Sequence, residues 1–394
     1  MKKIYKASVI LAILAHFQFF SFAGQKAEFK GKIEVKNGIK IIKNPSESLY
    51  GEIGLELEKD LVLGSESNEN FLFYRVWDVQ IDSQGNIYVL DSGASRIQKY
   101  DKKGTYIQTI GRQGQGPGEF ERPIFLYLDK KDFLYVSDMR KIHIFNPEGK
   151  YHDSIKIPFF YMDMASDGKD RVVVTGRITN EKVHDLGVMI VGRNGEGETK
   201  VAQFPGIPMH SNGTTISHDY SPELRFSSKK NDGFVYGYNR EYKLYVSDWT
   251  GKIIMQIEKD EPDQSVSRSE KNTILDEIYQ NISRAGLGWT KKMVEDMAAI
   301  PKNKPFFDRL LVDDKGRIFV RRRNSVLDEK QKWSFDIFSN DGIFLYTTIL
   351  PFTPTCIKKG SMYVIETSDE TGETKVVRYR IRNWERIQYQ LQLL

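Results

Sequence analysis

Two neighbouring stretches of this sequence read alike, and that likeness constrains the fold more than anything else in the chain. Residues 76–111 and 123–157 each give four short runs rich in Val, Ile, Tyr and Phe, separated by turns that carry Asp, Asn and Gly. Runs of five or six such residues, punctuated in this way, read as strands of an antiparallel meander. The glycine of the third turn recurs at Gly104, Gly149, Gly195, Gly251 and Gly342, at intervals of 45, 46, 56 and 91. A unit of four strands repeating every 40–50 residues or so predicts a β-propeller.

Six units can be counted, at residues 76–111, 123–157, 160–204, 222–258, 305–350 and 354–382. The sixth shows only three strands. Residues 57–63 lie one period before the end of the first unit, so they are expected to supply its missing outer strand. Closing the ring with the two ends of the chain removes an exposed sheet edge. The predicted fold class is therefore all-β: a six-bladed β-propeller spanning residues 51–394, closed by an amino-terminal strand. Upstream, residues 24–50 form a lead-in. It contains a hairpin, KIEVKNGIKIIK, turning at Asn37 and Gly38.

The interval of 91 contains an insertion at about residues 262–302. Ser267 and Glu270 fit a capping box, and Ile274, Leu275, Ile278 and Ile282 follow at helical spacing. After a turn at residues 286–289 a second helix carries Met293, Val294 and Met297, and Pro301 ends it. A helical hairpin between two blades would act as a lid, a docking element for a partner, or packing over one blade.

Residues 1–23 open with Lys2, Lys3 and Lys6, continue with an apolar run of about 16 residues, and place Ser21 and Ala23 before a cleavage point. This is the pattern of a secretory signal peptide, and the run falls short of the ~20 residues that span a bilayer. After cleavage no membrane span remains, and a secreted or periplasmic location is expected. The net charge of +5, from 58 basic and 53 acidic residues, falls to +2 without the three leading lysines. Such a balance argues against a nucleic-acid partner. The single Cys356 excludes an internal disulfide and a cysteine zinc cluster.

In a meander propeller the loops between second and third strands share one face with the connectors between blades. Residues 111–122, 204–221 and the insertion are such connectors. Residues 176–187, 321–332 and 367–374 read as long loops of the same face, which makes it the expected binding face. Aligned on the turn residues Asp82, Asp129, Asp167 and Asp313, one inner-strand column reads Asp78, Phe125, Asp163 and Arg309, with Arg225 placed beside them. Charges there are costly unless paired or wet. They predict either a polar funnel that binds a ligand or mutual ion pairing. Arg177, Arg240, Arg322 and its neighbours Arg321 and Arg323 would make the loop face basic, suiting carboxylate, sulfate or phosphate. The candidate ligand-binding set is thus Asp78, Asp163, Arg177, Arg225, Arg309 and Arg322.

Residues 111–150 resemble an NHL repeat. The resemblance is carried by Gly114, Gly116, Pro117, Gly118, Glu119, Phe120, Pro123, Asp129, Tyr135, Val136, Asp138, Ile144, Phe145 and Gly149, and residues 85–104 follow it more loosely. It implies an exported bacterial six-bladed propeller. On such folds peptide-binding modules, RNA-binding modules, lactonases and lyases all occur.

The first expectation is a non-catalytic module binding a peptide, a protein or an anionic carbohydrate-like ligand, with no cofactor. The alternative is a metal-dependent lyase or lactonase-type hydrolase, its ion on Asp78 and Asp163 or on His184, His210 and His218. A second alternative is an envelope-assembly partner docking through the helical hairpin. The chain has no Gly-x-Ser-x-Gly, His-Glu-x-x-His or Gly-Lys-Ser motif.

Overall fold

Six four-stranded units arranged as a closed propeller account for nearly all the strands of the computed structural model. It describes residues 28–64, 68–139, 141–157, 161–169, 171–179, 183–192, 198–208, 216–229, 232–328, 332–368 and 370–387. The amino-terminal signal expected at residues 1–23 lies outside these.

Blade 1 consists of Val76–Ile81, Ile87–Asp91, Arg96–Tyr100 and Tyr106–Ile110. Blade 2 follows with Pro123–Leu128, Leu134–Asp138, Lys141–Phe145 and Tyr151–Lys156, and blade 3 with Tyr161–Ser166, Arg171–Thr179, Val183–Gly192 and Thr199–Pro208. Blade 4 is Leu224–Ser228, Phe234–Tyr238, Lys243–Ser247 and Ile253–Lys259, and blade 5 is Phe307–Val312, Ile318–Arg322, Trp333–Phe338 and Phe344–Leu350. Blade 6 takes Cys356–Lys358, Ser361–Thr367 and Thr374–Ile381 from the carboxyl-terminal end of the chain and Leu57–Leu63 from the amino-terminal end. That last strand pairs antiparallel with Thr374–Ile381, Val62 opposite Val377, so the ring closes as the repeat arithmetic predicts.

Each blade packs face to face on the next. Second strands such as Ile87–Asp91 and Phe234–Tyr238 are buried along their whole length. Their continuous apolar runs are what a strand covered on both faces requires. One apolar cluster joins blades 1 and 2 through Leu90, Phe120 and Val136. Another joins blades 5 and 6 through Phe319, Phe335 and Met362.

The turn aspartates have a local cause. Asp82 Oδ1 accepts from the amides of Gln84 and Asn86 at 2.9 and 2.8 Å, and Asp313 Oδ1 does the same for Lys315 and Arg317 at 2.8 and 2.9 Å. A side chain that mimics a backbone turn is why Asp recurs there. The glycine-rich connector is equally determined. Gly111 has φ +74°, and a Cβ on it would meet the Phe120 ring at 2.1 Å.

The lead-in does more than precede the ring. Lys32–Lys36 and Ile39–Asn44 form the hairpin with Asn37 and Gly38 at its turn, both at positive φ. Its second strand then pairs in parallel with Ile253–Lys259, so blade 4 becomes a six-stranded sheet. The chain continues along the rim of blade 5, where the amides of Leu49, Tyr50 and Ile53 donate to the carbonyls of Phe344, Leu345 and Thr347. It ends as the outer strand of blade 6. Residues 32–63 thus form a belt across three blades. Asn44 fastens it: Nδ2 donates to Glu258 O and Gly342 O at 3.1 and 3.0 Å, and Oδ1 accepts from Phe344 N at 2.8 Å.

One loop differs from expectation. Residues 176–187 are mostly strand, because Arg171–Thr179 and Val183–Gly192 stay paired as far as Thr179 opposite His184. The second and third strands of blade 3, of nine and ten residues, are longer than those of its neighbours.

Candidate functional site

The inner strands of blades 1, 2, 3 and 5 each carry a register shift, between Val76 and Asp78, Pro123 and Leu126, Tyr161 and Asp163, and Phe307 and Arg309. A bulge re-aims side chains and leaves ladder groups unpaired. Asp78 and Asp163 answer that need. Val79 N donates to Asp78 Oδ1 at 2.7 Å and Met164 N to Asp163 Oδ1 at 2.8 Å. In blade 2 the column residue is Phe125, which cannot cap, and there Leu126 N donates to Asp78 Oδ2 at 2.8 Å across the blade boundary. Blade 4 has no bulge: Leu224–Ser228 stays in unbroken register, with Arg225 opposite Gly237.

These column residues surround a cavity of about 520 Å³ along the propeller axis, lined also by Trp77, Met162, Arg177, Glu223 and Thr355. Five of the six expected residues therefore meet in one place: Asp78, Asp163, Arg177, Arg225 and Arg309. The size lies within the range of about 300–1,000 Å³ usual for small-molecule sites.

Burial pushes both carboxyls up to about 7. For Asp78 the amides of Leu126 and Val79, the Gln80 side chain and Arg309 act the other way. For Asp163 the charge of Asp78 adds to burial, against Met164 N, Arg225 and Arg309. Burial, with repulsion from Arg321 and Arg225, pulls the Arg309 guanidinium down to about 10. Arg309 Nη1 donates to Pro354 O at 3.0 Å, and among the described residues no carboxylate forms an ion pair with it. Arg225 pairs with Glu223 through Nη2, while its Nε is buried without a hydrogen-bond partner among the described residues. The cavity thus holds guanidinium donors that the protein leaves unused.

Arg322 is not there. Its guanidinium pairs with Glu261 and reaches Asp336 Oδ2 at 3.3 Å, in a buried network where Lys259 Nζ lies 2.8 Å from both acids and Tyr242 OH donates to Asp336. Arg321 and Arg323 share Asp308, and Arg323 also holds Asp219 at 2.8 Å. Arg321, Arg322 and Arg323, expected to make the loop face basic, are thus each paired with acids. Arg240 donates to Asn303 O at 2.8 Å.

The insertion folds as α1, Arg268–Arg284, and α2, Lys291–Met297, with the Ser267–Glu270 capping box in place. It is docked, not free. Ile274, Ile278 and Val294 pack on Ile216 and Tyr220 of the connector between blades 3 and 4. Glu270 Oε1 accepts from Tyr220 OH at 2.8 Å and from Ser325 Oγ at 2.5 Å, and pairs with Lys304 at 2.8 Å. Ser217, next to Ile216, lines the cavity, so the helices support its mouth.

The metal alternatives find poor donors. Asp78 spends both oxygens on amides, and guanidiniums face Asp163. His218 Nδ1 accepts from Tyr220 N at 3.1 Å, and the ring also bonds the backbone of Ala298. The side chain of His184 and all of His210 lie outside the described residues. Among the described residues no three His, Cys, Asp or Glu side chains cluster to hold an ion. Cys356 is half-buried on the cavity wall.

Sequence reasoning missed Trp77, which sits on the bulge beside Asp78, lines the cavity and is 47% exposed. A tryptophan one residue before the column aspartate was the available signal. It also missed Glu223, the partner of Arg225.

These features belong to a six-bladed propeller with a charged, axial, ligand-sized cavity. A family model described as a domain of unknown function, DUF4934, matches residues 66–246, from just before blade 1 into blade 4. No curated protein matches the chain. Among solved structures it is similar to a candidate exported protein from Bacteroides fragilis, at 11% identity and TM-score 0.53, covering 87% of this chain and 99% of that one. It is also similar to a member of the DUF4221 family from Bacteroides vulgatus, at 12% identity and TM-score 0.52, covering 83% and 97%. Virginiamycin B lyase from Staphylococcus aureus aligns over 84% and 94% at 10% identity, but its TM-score of 0.41 is too low to carry an argument. At these identities the likeness is one of fold.

Proposed function

We propose that this chain is an exported, non-catalytic binding protein of the NHL-like propeller type that takes an anionic ligand into its central channel. The observation that carries the reading is Arg309. A guanidinium held in the cavity wall, without a carboxylate in ion-pair range among the described residues and with its pKa pulled down to about 10, is stabilised when an anion arrives. The Arg225 guanidinium, partly exposed on the same cavity wall, supplies a second donor. Two forked donors suit a carboxylate, sulfate or phosphate group. Export is supported by the lysine-led apolar start of the sequence and by the likeness to a candidate exported protein.

The test is calorimetric titration of the purified protein with sulfate, phosphate and citrate. Saturable binding of at least one anion, lost in Arg309→Met while the melting temperature stays within a few degrees, is the expected result. Equal affinity in wild type and Arg309→Met overturns it.

A further inference from the structure

We propose that the ligand is an acidic sugar, a hydroxylated ring bearing a carboxylate, whose ring stacks on Trp77 while its acid group meets Arg225 and Arg309. The inference rests on the anion-binding reading above and adds the class of molecule. Trp77 is the first observation. A half-exposed indole on a cavity wall is an apolar face awaiting a cover, and the bulge at Asp78 fixes its position. A sugar ring offers an apolar face of matching width and polar edges around it.

Asp163 is the second. Its Oδ1 holds Met164 N, and the unbulged inner strand of blade 4 presents no orphan amide to its other oxygen, unlike the strand beside Asp78. A carboxyl near its midpoint at neutral pH can accept from one hydroxyl or donate to another. The third observation tells against a peptide added as a strand. An extended peptide binds by adding main-chain hydrogen bonds to free strand groups. Here the bulge amides of Val79, Leu126 and Met164 are already capped by Asp78 and Asp163. The cavity offers side chains, not a ladder.

The purified chain is titrated with D-glucuronate, D-galacturonate and N-acetylneuraminate, beside D-glucose and acetate, by calorimetry and tryptophan fluorescence. At least one acidic sugar is expected to bind ten-fold or more tightly than both glucose and acetate. Trp77→Ala, which removes a half-exposed side chain, is expected to weaken that sugar about ten-fold and leave acetate unchanged. Trp77→Phe should retain most of the affinity and abolish the fluorescence change. Acidic sugars binding no better than acetate, or insensitive to Trp77→Ala, overturn the inference. In that case anion binding lost in Arg309→Met leaves the anion site standing, whereas no anion binding at all removes both.

Discussion

Asp78 joins two blades through one carboxylate: Oδ1 accepts from Val79 N in its own strand and Oδ2 from Leu126 N in blade 2, at 2.7 and 2.8 Å. An asparagine can accept at only one of these positions and would turn an N–H towards the other. Asp78→Asn is expected to lower stability by about 1–3 kcal/mol, the cost of a buried unsatisfied amide. Asp163→Asn, with one amide at stake, should cost less. Urea denaturation of both variants checks the order.

The same two carboxyls set a pH dependence. Their folded pKa values of about 7 lie above the ordinary aspartate value of 3.8, so the folded state holds protons that the unfolded state releases. The stability they contribute is complete below about pH 4 and is lost as pH rises through 7. Between pH 4 and 8 wild type should therefore lose stability relative to Asp163→Asn. A stability difference between the two that is flat across this window would contradict the assignment.

Arg322 and Arg309 should behave oppositely. Arg322→Ala removes a partner of buried Asp336 and Glu261, and is expected to cost roughly 1–2 kcal/mol without touching anion affinity, because the guanidinium is one-third exposed and Lys259 still holds both acids. Arg309→Met should do the reverse. Parallel melts and titrations separate them.

Glu270 anchors the helices. Lys304, Ser325, the Ser267 amide and Tyr220 together hold its carboxyl well below the ordinary value despite burial. Docking strength is therefore full above the ordinary glutamate range near 4.5 and falls as pH drops below it. Glu270→Ala is expected to speed hydrogen exchange in residues 268–297 several-fold at pH 7, with blade 1 unchanged.

Asn44 makes three main-chain hydrogen bonds, all from a buried side chain. Asn44→Ala should cost about 2–3 kcal/mol, read as a lower unfolding midpoint and as faster proteolysis of residues 28–56.

Most of the blades were legible because each repeats a local rule: a strand period of two, an Asp turn, a glycine at positive φ. The column of Asp78, Asp163, Arg225 and Arg309 followed from that register. What escaped were partnerships between distant segments. Nothing near Arg322 announces that Glu261 and Asp336 will claim it, and nothing in KIEVKNGIKIIK says that it will lie parallel to Ile253–Lys259. Residues 176–187 looked like a loop because Gly176 and Gly187 punctuate them, yet the two glycines face each other across a continuing hairpin.

The belt has a consequence for how the molecule is made. Val62 must wait for Val377 before blade 6 exists. At ribosomal speeds of about 5–20 residues per second, that wait is on the order of tens of seconds. During synthesis the earliest part of the propeller is the last to find its neighbours. A nascent chain therefore carries an unpaired strand, half of it apolar, ahead of five growing blades, and whatever shields that strand until its partner emerges governs how much protein reaches the closed ring.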